Sequence, residues 1–127
     1  MYINYKWNKK YDSKSDEFSQ MPLETILHYE LEATFTIESD DNQRFTEEFV
    51  PVYTIAKALK ESKSDNLEIN LEGWGCNPFL IVKMQDSKVR VKNNFIDFVC
   101  NKKDYELETE QFIYLVEKNI REMGFNV

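Results

Sequence analysis

The chain has 127 residues, a net charge of −7, 42% apolar residues, and nine Phe, seven Tyr and two Trp. That length makes one domain with room for a core, the aromatic content excludes disorder, and no apolar run approaches the ~18 residues that span a bilayer. Met1–Trp7 lacks the apolar centre of a signal peptide and the two cysteines, Cys76 and Cys100, are what free cytoplasmic thiols would give, so the expectation is a soluble, cytoplasmic, single domain over residues 1–127.

In chain order, Ile3, Tyr5 and Trp7 alternate as an edge strand, and Asn8–Gln20, polar and without periodicity, reads as a mobile loop, so that residues 1–20 form an N-terminal strand and loop. From Thr25 to Glu38 the alternation predicts one long strand. Leu27, Tyr29, Leu31, Ala33, Phe35 and Ile37 lie on one face, and Ile26, His28, Glu30, Glu32, Thr34, Thr36 and Glu38 on the other. Ser39–Gln43 is a turn, and Arg44–Val50 returns as a second strand with Phe45, Glu47 and Phe49 on one side.

The period changes at Pro51, where proline suits the first turn of a helix. Val52, Ile55, Ala56 and Leu59 then fall at helical spacing, predicting an amphipathic helix over residues 51–62 with Ile55 and Leu59 in the core. Three further strands follow: Leu67, Ile69 and Leu71 alternate, Phe79–Met84 is continuously apolar, and Val89 and Val91 alternate with Lys88, Arg90 and Lys92. Gly73–Pro78 and Asp86–Ser87 are turns, Asn93–Asn94 marks a bulge or bend, and Phe95–Cys100 continues as strand. The last helix is predicted to start at Thr109 as N-cap and to end at Gly124, with Phe125 packed back on Ile120. The fold class expected is α+β: an antiparallel sheet of five to six strands with two helices packed on one face.

The charge is uneven. Between Asp16 and Glu48 ten acids face one base, Arg44, a charge of −9, so the remaining residues together carry +2. Acids crowded on one hairpin serve either as a solvated face or as a docking surface for a basic partner. The candidate partner-binding residues are Glu30, Glu32, Glu38, Asp40, Asp41, Glu47 and Glu48. Rival chemistry is thin. His28, the only histidine, has no visible partner and reads as a solvated strand residue. Cys76 lacks the strand–turn–helix setting of an activated nucleophile, and Cys76, Cys100 and His28 lack the paired spacing of a zinc site. No phosphate loop or zinc-protease motif is present, so no cofactor, metal or catalytic residue is assigned. Lys88, Arg90 and Lys92 share one strand face and suggest a nucleic-acid or adaptor surface, against which the overall acidity argues.

The order of hairpin, Phe49-Val-Pro-Val-Tyr-Thr-Ile-Ala-Lys-Ala-Leu59 helix, hairpin and terminal helix resembles small acidic bacterial proteins of unknown function. In size, acidity and α+β build the chain is also similar to immunity proteins that neutralise bacterial toxins. The resemblance spans roughly residues 23–123 and transfers no individual residue. What it implies is a non-enzymatic inhibitor whose protein partner is a basic toxin domain, often a nuclease, with charge complementarity to the acidic hairpin. A module binding through Lys88, Arg90 and Lys92, or a small enzyme using Cys76, are the alternatives.

Overall fold

The switch of period around Pro51 is where the chain turns from sheet to helix. A computed structural model describes residues 1–75 and 77–127. In it strand β3 (Arg44–Val50) stops at Pro51, whose carbonyl accepts from Thr54 N–H at 3.0 Å and so opens helix α2 (Val52–Glu61). Val52, Ile55 and Ala56 are buried, as the helical spacing requires. Leu59, expected in the core, is only half-buried, because it sits beside an open groove between α2 and the last helix.

The first sheet has the order β1–β2–β3, all antiparallel, from β1 (Tyr2–Trp7), β2 (Ala33–Glu38) and β3. The edge position of β1 is as its weak alternation suggested. The long strand expected from Thr25 to Glu38 is not one strand. Pro22 opens a helical segment, α1, α-helical over Leu23–Thr25 and then wound wider over Ile26–Glu30, where Leu31 N–H reaches the Ile26 carbonyl at 3.1 Å. Ile26 and Leu27, adjacent in sequence, are both buried together with Leu31. A strand would send Ile26 to the opposite face from Leu27 and Leu31, so burial of all three favours the helical turn over continued alternation.

Residues 8–20, expected as a mobile loop, carry Tyr11 and Phe18 into the core instead. The Tyr11 hydroxyl accepts from Glu32 N–H at 3.0 Å and donates to the Glu32 carbonyl at 3.2 Å. Phe18 meets Phe125 edge to face with centroids 5.4 Å apart. Buried rings, not the polarity of the residues between them, fix this segment.

The second sheet is an antiparallel meander of order β4–β5–β6–β7: β4 (Asn66–Ile69), β5 (Leu80–Gln85), β6 (Lys88–Lys92) and β7 (Asp97–Asn101). Of the bulge or bend expected at Asn93–Asn94 the structure has the bend, a tight turn between β6 and β7. Asn93 Oδ1 accepts from Phe95 N–H at 2.7 Å and Ile96 N–H at 3.0 Å, while its Nδ2 donates to the Phe79 carbonyl at 3.0 Å. Helix α3 (Lys102–Glu122) follows directly, capped by Asn101, which accepts from Lys103 N–H at 2.8 Å. The helix therefore starts seven residues before Thr109, which lies inside it and returns its hydroxyl to the Tyr105 carbonyl at 2.9 Å. At the far end Gly124 has φ +99°, and Phe125 N–H reaches the Ile120 carbonyl at 3.2 Å, the hydrogen bond expected of a glycine-terminated helix.

The architecture is α+β, but the strands form a three-stranded and a four-stranded sheet, not one sheet of five or six, and among the described residues there are three helices, α1 to α3, not two on one sheet face. β3 runs straight into α2, and what joins the sheets is side-chain contact. Phe45 stacks on Phe95 at 5.6 Å, and Asp97 N–H donates to Gln43 Oε1 at 2.9 Å. α3 lies against β1 on one side and β6 and β7 on the other, and α2 fills the space between α3 and β4. Phe35 is central to the shared core, with Phe79 at 5.6 Å and Phe112 at 5.7 Å. Among the described residues no helix is long and apolar enough to cross a membrane.

Candidate functional site

The residues from Arg44 to Val50 were expected to alternate without a break. Instead β3 carries a β-bulge: Phe35 pairs with Glu47 but Ala33 pairs with Val50, so one extra residue is accommodated on β3. Phe49 absorbs it at φ +56°. Val50 is thereby turned into the core, while the Phe49 ring is left 60% exposed. A bulky aromatic side chain in left-handed backbone conformation is a strained arrangement, held here by the pairing on either side.

The exposed ring lines a cleft of about 330 Å³ between α1, the end of β3, the start of α2 and the loop after β4. Tyr29, Phe49 and Trp74 supply its rings, and Glu32, Glu72 and His28 its ionisable groups. Tyr29, itself 57% exposed, donates its hydroxyl to Glu72 Oε2 at 2.6 Å, and that hydrogen bond raises the tyrosine pKa above its ordinary value. Burial, then the neighbouring charge of Glu30, pushes the Glu32 carboxyl up, partly offset by Lys9. Among the described residues no lysine or arginine lines the cleft, and Lys9 is itself paired with Glu17 at 3.4 Å.

His28 is not the solvated strand residue expected. Its helical turn sets Nδ1 2.7 Å from Thr54 Oγ1 and Nε2 3.2 Å from Glu24, with the ring edge to face on Tyr53. Both nitrogens are engaged, so the ring fastens α1 to α2 and forms a fixed wall of the cleft.

The acids singled out from sequence do not share one strand face. Glu30 and Glu32 lie in α1 and the link to β2, at one end of the hairpin, and Glu48 lies in β3. Asp40 and Asp41 lie in the turn at the other end, beyond the full length of β2, on the order of 17 Å. Asp40 takes the amino group of Met1 at 3.2 Å, and Asp41, held below the usual carboxylate range by hydrogen bonds from Ser39 and Gln43, braces the turn. Glu38 projects from the outer face of the first sheet opposite Arg44, whereas Glu47 shares the inward side with Phe35. Of the seven only Glu32 lines the cleft, with Glu72 as the other acid there; Glu30 is close enough to act on Glu32, and Glu24 pairs with His28. Tyr29 and Phe49 were missed because their exposure is set by the helical turn and the bulge, and Trp74 because it lies in the loop after β4, none of which residue type announces.

Lys88, Arg90 and Lys92 do project together, with Lys83, from the outer face of the second sheet. Arg90 is spoken for by Asp97 through two hydrogen bonds of 2.8 and 2.6 Å. Cys76 lies outside the described residues, and the thiol of Cys100, on β7, is pushed up in pKa by burial. Among the described residues no three His, Cys, Asp or Glu side chains converge as a metal site. Larger grooves flank the contact of α2 with α3, the first of about 460 Å³, but their Lys60–Glu117 pair at 3.0 Å already balances charge at the rim. No family model, curated protein or solved structure matches the chain.

Proposed function

We propose that this chain is a non-enzymatic binding protein of the immunity type, which neutralises a basic toxin domain, a nuclease being the best-fitting class, through the acidic end of its first hairpin. The observation that carries the reading is the cleft end itself. Glu32 and Glu72 line it beside the rings of Tyr29, Phe49 and Trp74, Glu24 pairs with its wall residue His28, and among the described residues no lysine or arginine is in the lining. Exposed rings inside a rim of one charge sign are what a docking surface for an oppositely charged protein requires: apolar area for affinity, charge for rate and selectivity. Nucleases bind polyanions and present basic clefts, which an acidic protein can occupy in the place of nucleic acid. Asp40, Asp41, Glu38 and Glu47 extend the negative field of the same hairpin away from the cleft.

The reading is tested with the product of the reading frame next to this gene. Its expression in a naive host should arrest growth, and co-expression of this chain should restore it. Reversing Glu30 and Glu32 to Lys should abolish protection, and the association rate of the purified pair should fall steeply between 0.1 M and 1 M salt, as screening shortens from ~10 Å to ~3 Å. Protection that survives the double reversal, with a rate indifferent to salt, would sink the reading.

The bare outer face of the second sheet favours one rival, a nucleic-acid or adaptor surface built on Lys83, Lys88, Arg90 and Lys92. Salt-sensitive binding of a single-stranded oligonucleotide, lost on Lys88→Glu and Lys92→Glu, would establish it in place of the first.

A further inference from the structure

We infer that the cleft bounded by Tyr29, Phe49 and Trp74 seats one arginine side chain of the protein partner, its guanidinium flanked by the rings and forked onto Glu72, with Glu32 as the second acid. This deepens the reading of the acidic hairpin as the docking end and rests on it. Volume is the first argument. At about 330 Å³ the cleft stands at the small end of ligand pockets, room for a single long side chain and too little for a helix. Charge is the second. Two carboxylates, with no lysine or arginine among the described lining residues, select a positive occupant.

The choice of arginine over lysine follows from the chemistry of the walls. A guanidinium is planar, weakly hydrated, stacks on aromatic faces and presents paired donors to a carboxylate, whereas an ammonium is a compact, strongly hydrated point charge. Glu72 is set for such a fork. Tyr29 fixes its Oε2 from one side, and among the described residues its Oε1 has no hydrogen-bond partner. Glu32 is held as firmly by its backbone, where Tyr11 takes both the N–H and the carbonyl and Asn8 N–H reaches the same carbonyl at 3.1 Å. An incoming guanidinium would also offset the burial and the Glu30 charge that work against the charged form of Glu32.

The backbone of Phe49 is the independent sign that the cleft is more than a gap. Left-handed backbone suits glycine or asparagine, and nothing in the free protein requires a phenylalanine there, since its ring is mostly exposed. A ring kept at a strained, exposed position has its use in what binds against it.

The test uses the full chain and three short probes, acetyl-Gly-Arg-Gly-amide and its lysine and norleucine counterparts, followed by the Trp74 indole resonance. The arginine peptide should shift that resonance at millimolar concentration, the lysine peptide should bind about tenfold more weakly, and the norleucine peptide not at all. Phe49→Gly and Glu72→Gln should each weaken the arginine peptide about tenfold while the melting temperature holds or, for Phe49→Gly, rises. The seat is overturned if the arginine and norleucine peptides shift Trp74 alike, if none shifts it, or if the shift survives both variants. A protective, salt-sensitive partner whose binding ignores Phe49→Gly would remove the arginine seat and leave the acidic-end reading standing. Arginine binding that disappears in the variants, beside a partner indifferent to Glu30→Lys and Glu32→Lys, would support the seat and remove that reading.

Discussion

The two β-hairpins that make the described non-glycine turns differ in where they place backbone strain. In the second sheet β5 and β6 are joined by Asp86–Ser87, with Asp86 at φ +55°, and every residue from Gln85 to Ile81 pairs in unbroken register with Lys88 to Lys92. In the first sheet Asn42 takes φ +70° in the turn between β2 and β3, but the same hairpin has a second left-handed residue, Phe49, at its opposite end. Aspartate and asparagine tolerate that conformation because their short side chains hydrogen-bond locally, and phenylalanine does not. The regular hairpin is thus explained by folding alone. The irregular one departs from what folding favours at one residue, and that residue faces the cleft.

The largest way to break this comparison is through the core that both sheets share. Phe35 is fully buried between Phe79 and Phe112, so Phe35→Ala should cost ~3–5 kcal/mol and weaken both sheets at once. Chemical denaturation followed by tryptophan fluorescence and by far-ultraviolet circular dichroism should show one coincident, shifted transition. Two separated transitions would mean the sheets unfold independently. The next effect lies in the regular half. Asn93→Ala removes two accepted bonds and one donated bond from the β6–β7 turn and should cost ~1–3 kcal/mol. A loss within ~0.5 kcal/mol would show that β6 and β7 register themselves without the turn.

Strand, turn and helix were legible where a single rule governed them. The α2 stripe of Val52, Ile55 and Ala56, the alternation of β2 and β6, and the Gly124 terminus all stand where their spacing put them. The errors came where two rules competed. In Thr25–Leu31 the alternation looked like strand, yet Pro22 with Glu24 in the first turn, and the apolar pair Ile26–Leu27, were the helical signals that prevailed. At the other end of the chain, Thr109 looked like a cap because it precedes acids and an apolar stripe, but Asn101 holds that place and the polar first turns of α3 conceal its start. The acidity of the first hairpin was plain from sequence; its division between two ends was not, because it follows from where the strand begins. The Phe49 ring reaches the cleft through a bulge that packs Val50 rather than Phe49 into the core.

A smaller and opposite effect is expected at the irregular hairpin. Left-handed backbone costs an L-residue ~1–2 kcal/mol, and the mostly exposed Phe49 ring recovers little of it by burial. Phe49→Gly should therefore hold stability or raise it by up to ~1 kcal/mol, measured by urea denaturation. A loss above ~1 kcal/mol would show that the ring is structural and would erase the contrast between the hairpins.

The smallest effect sharpens the contrast from the regular side. Asp97 on β7 is held below the usual carboxylate range first by the Arg90 hydrogen bonds and then by the charges of Arg90 and Lys92. A carboxyl depressed in the folded state contributes stability that is fully present above its unfolded value, about 3.9, and is lost as pH falls through the depressed folded value. The stability difference between the parent and Asp97→Asn should therefore be flat from neutral pH down to about 5 and should vanish in more acid solution. It should be slight throughout, because the pair is exposed and screened by salt. The same substitution releases Arg90 on the basic face of the second sheet. If that face binds nucleic acid, Asp97→Asn should raise oligonucleotide affinity by freeing one more phosphate contact and steepen its salt dependence by about one counterion. No oligonucleotide binding by either the parent or Asp97→Asn would leave Lys83, Lys88, Arg90 and Lys92 as a solvated sheet face.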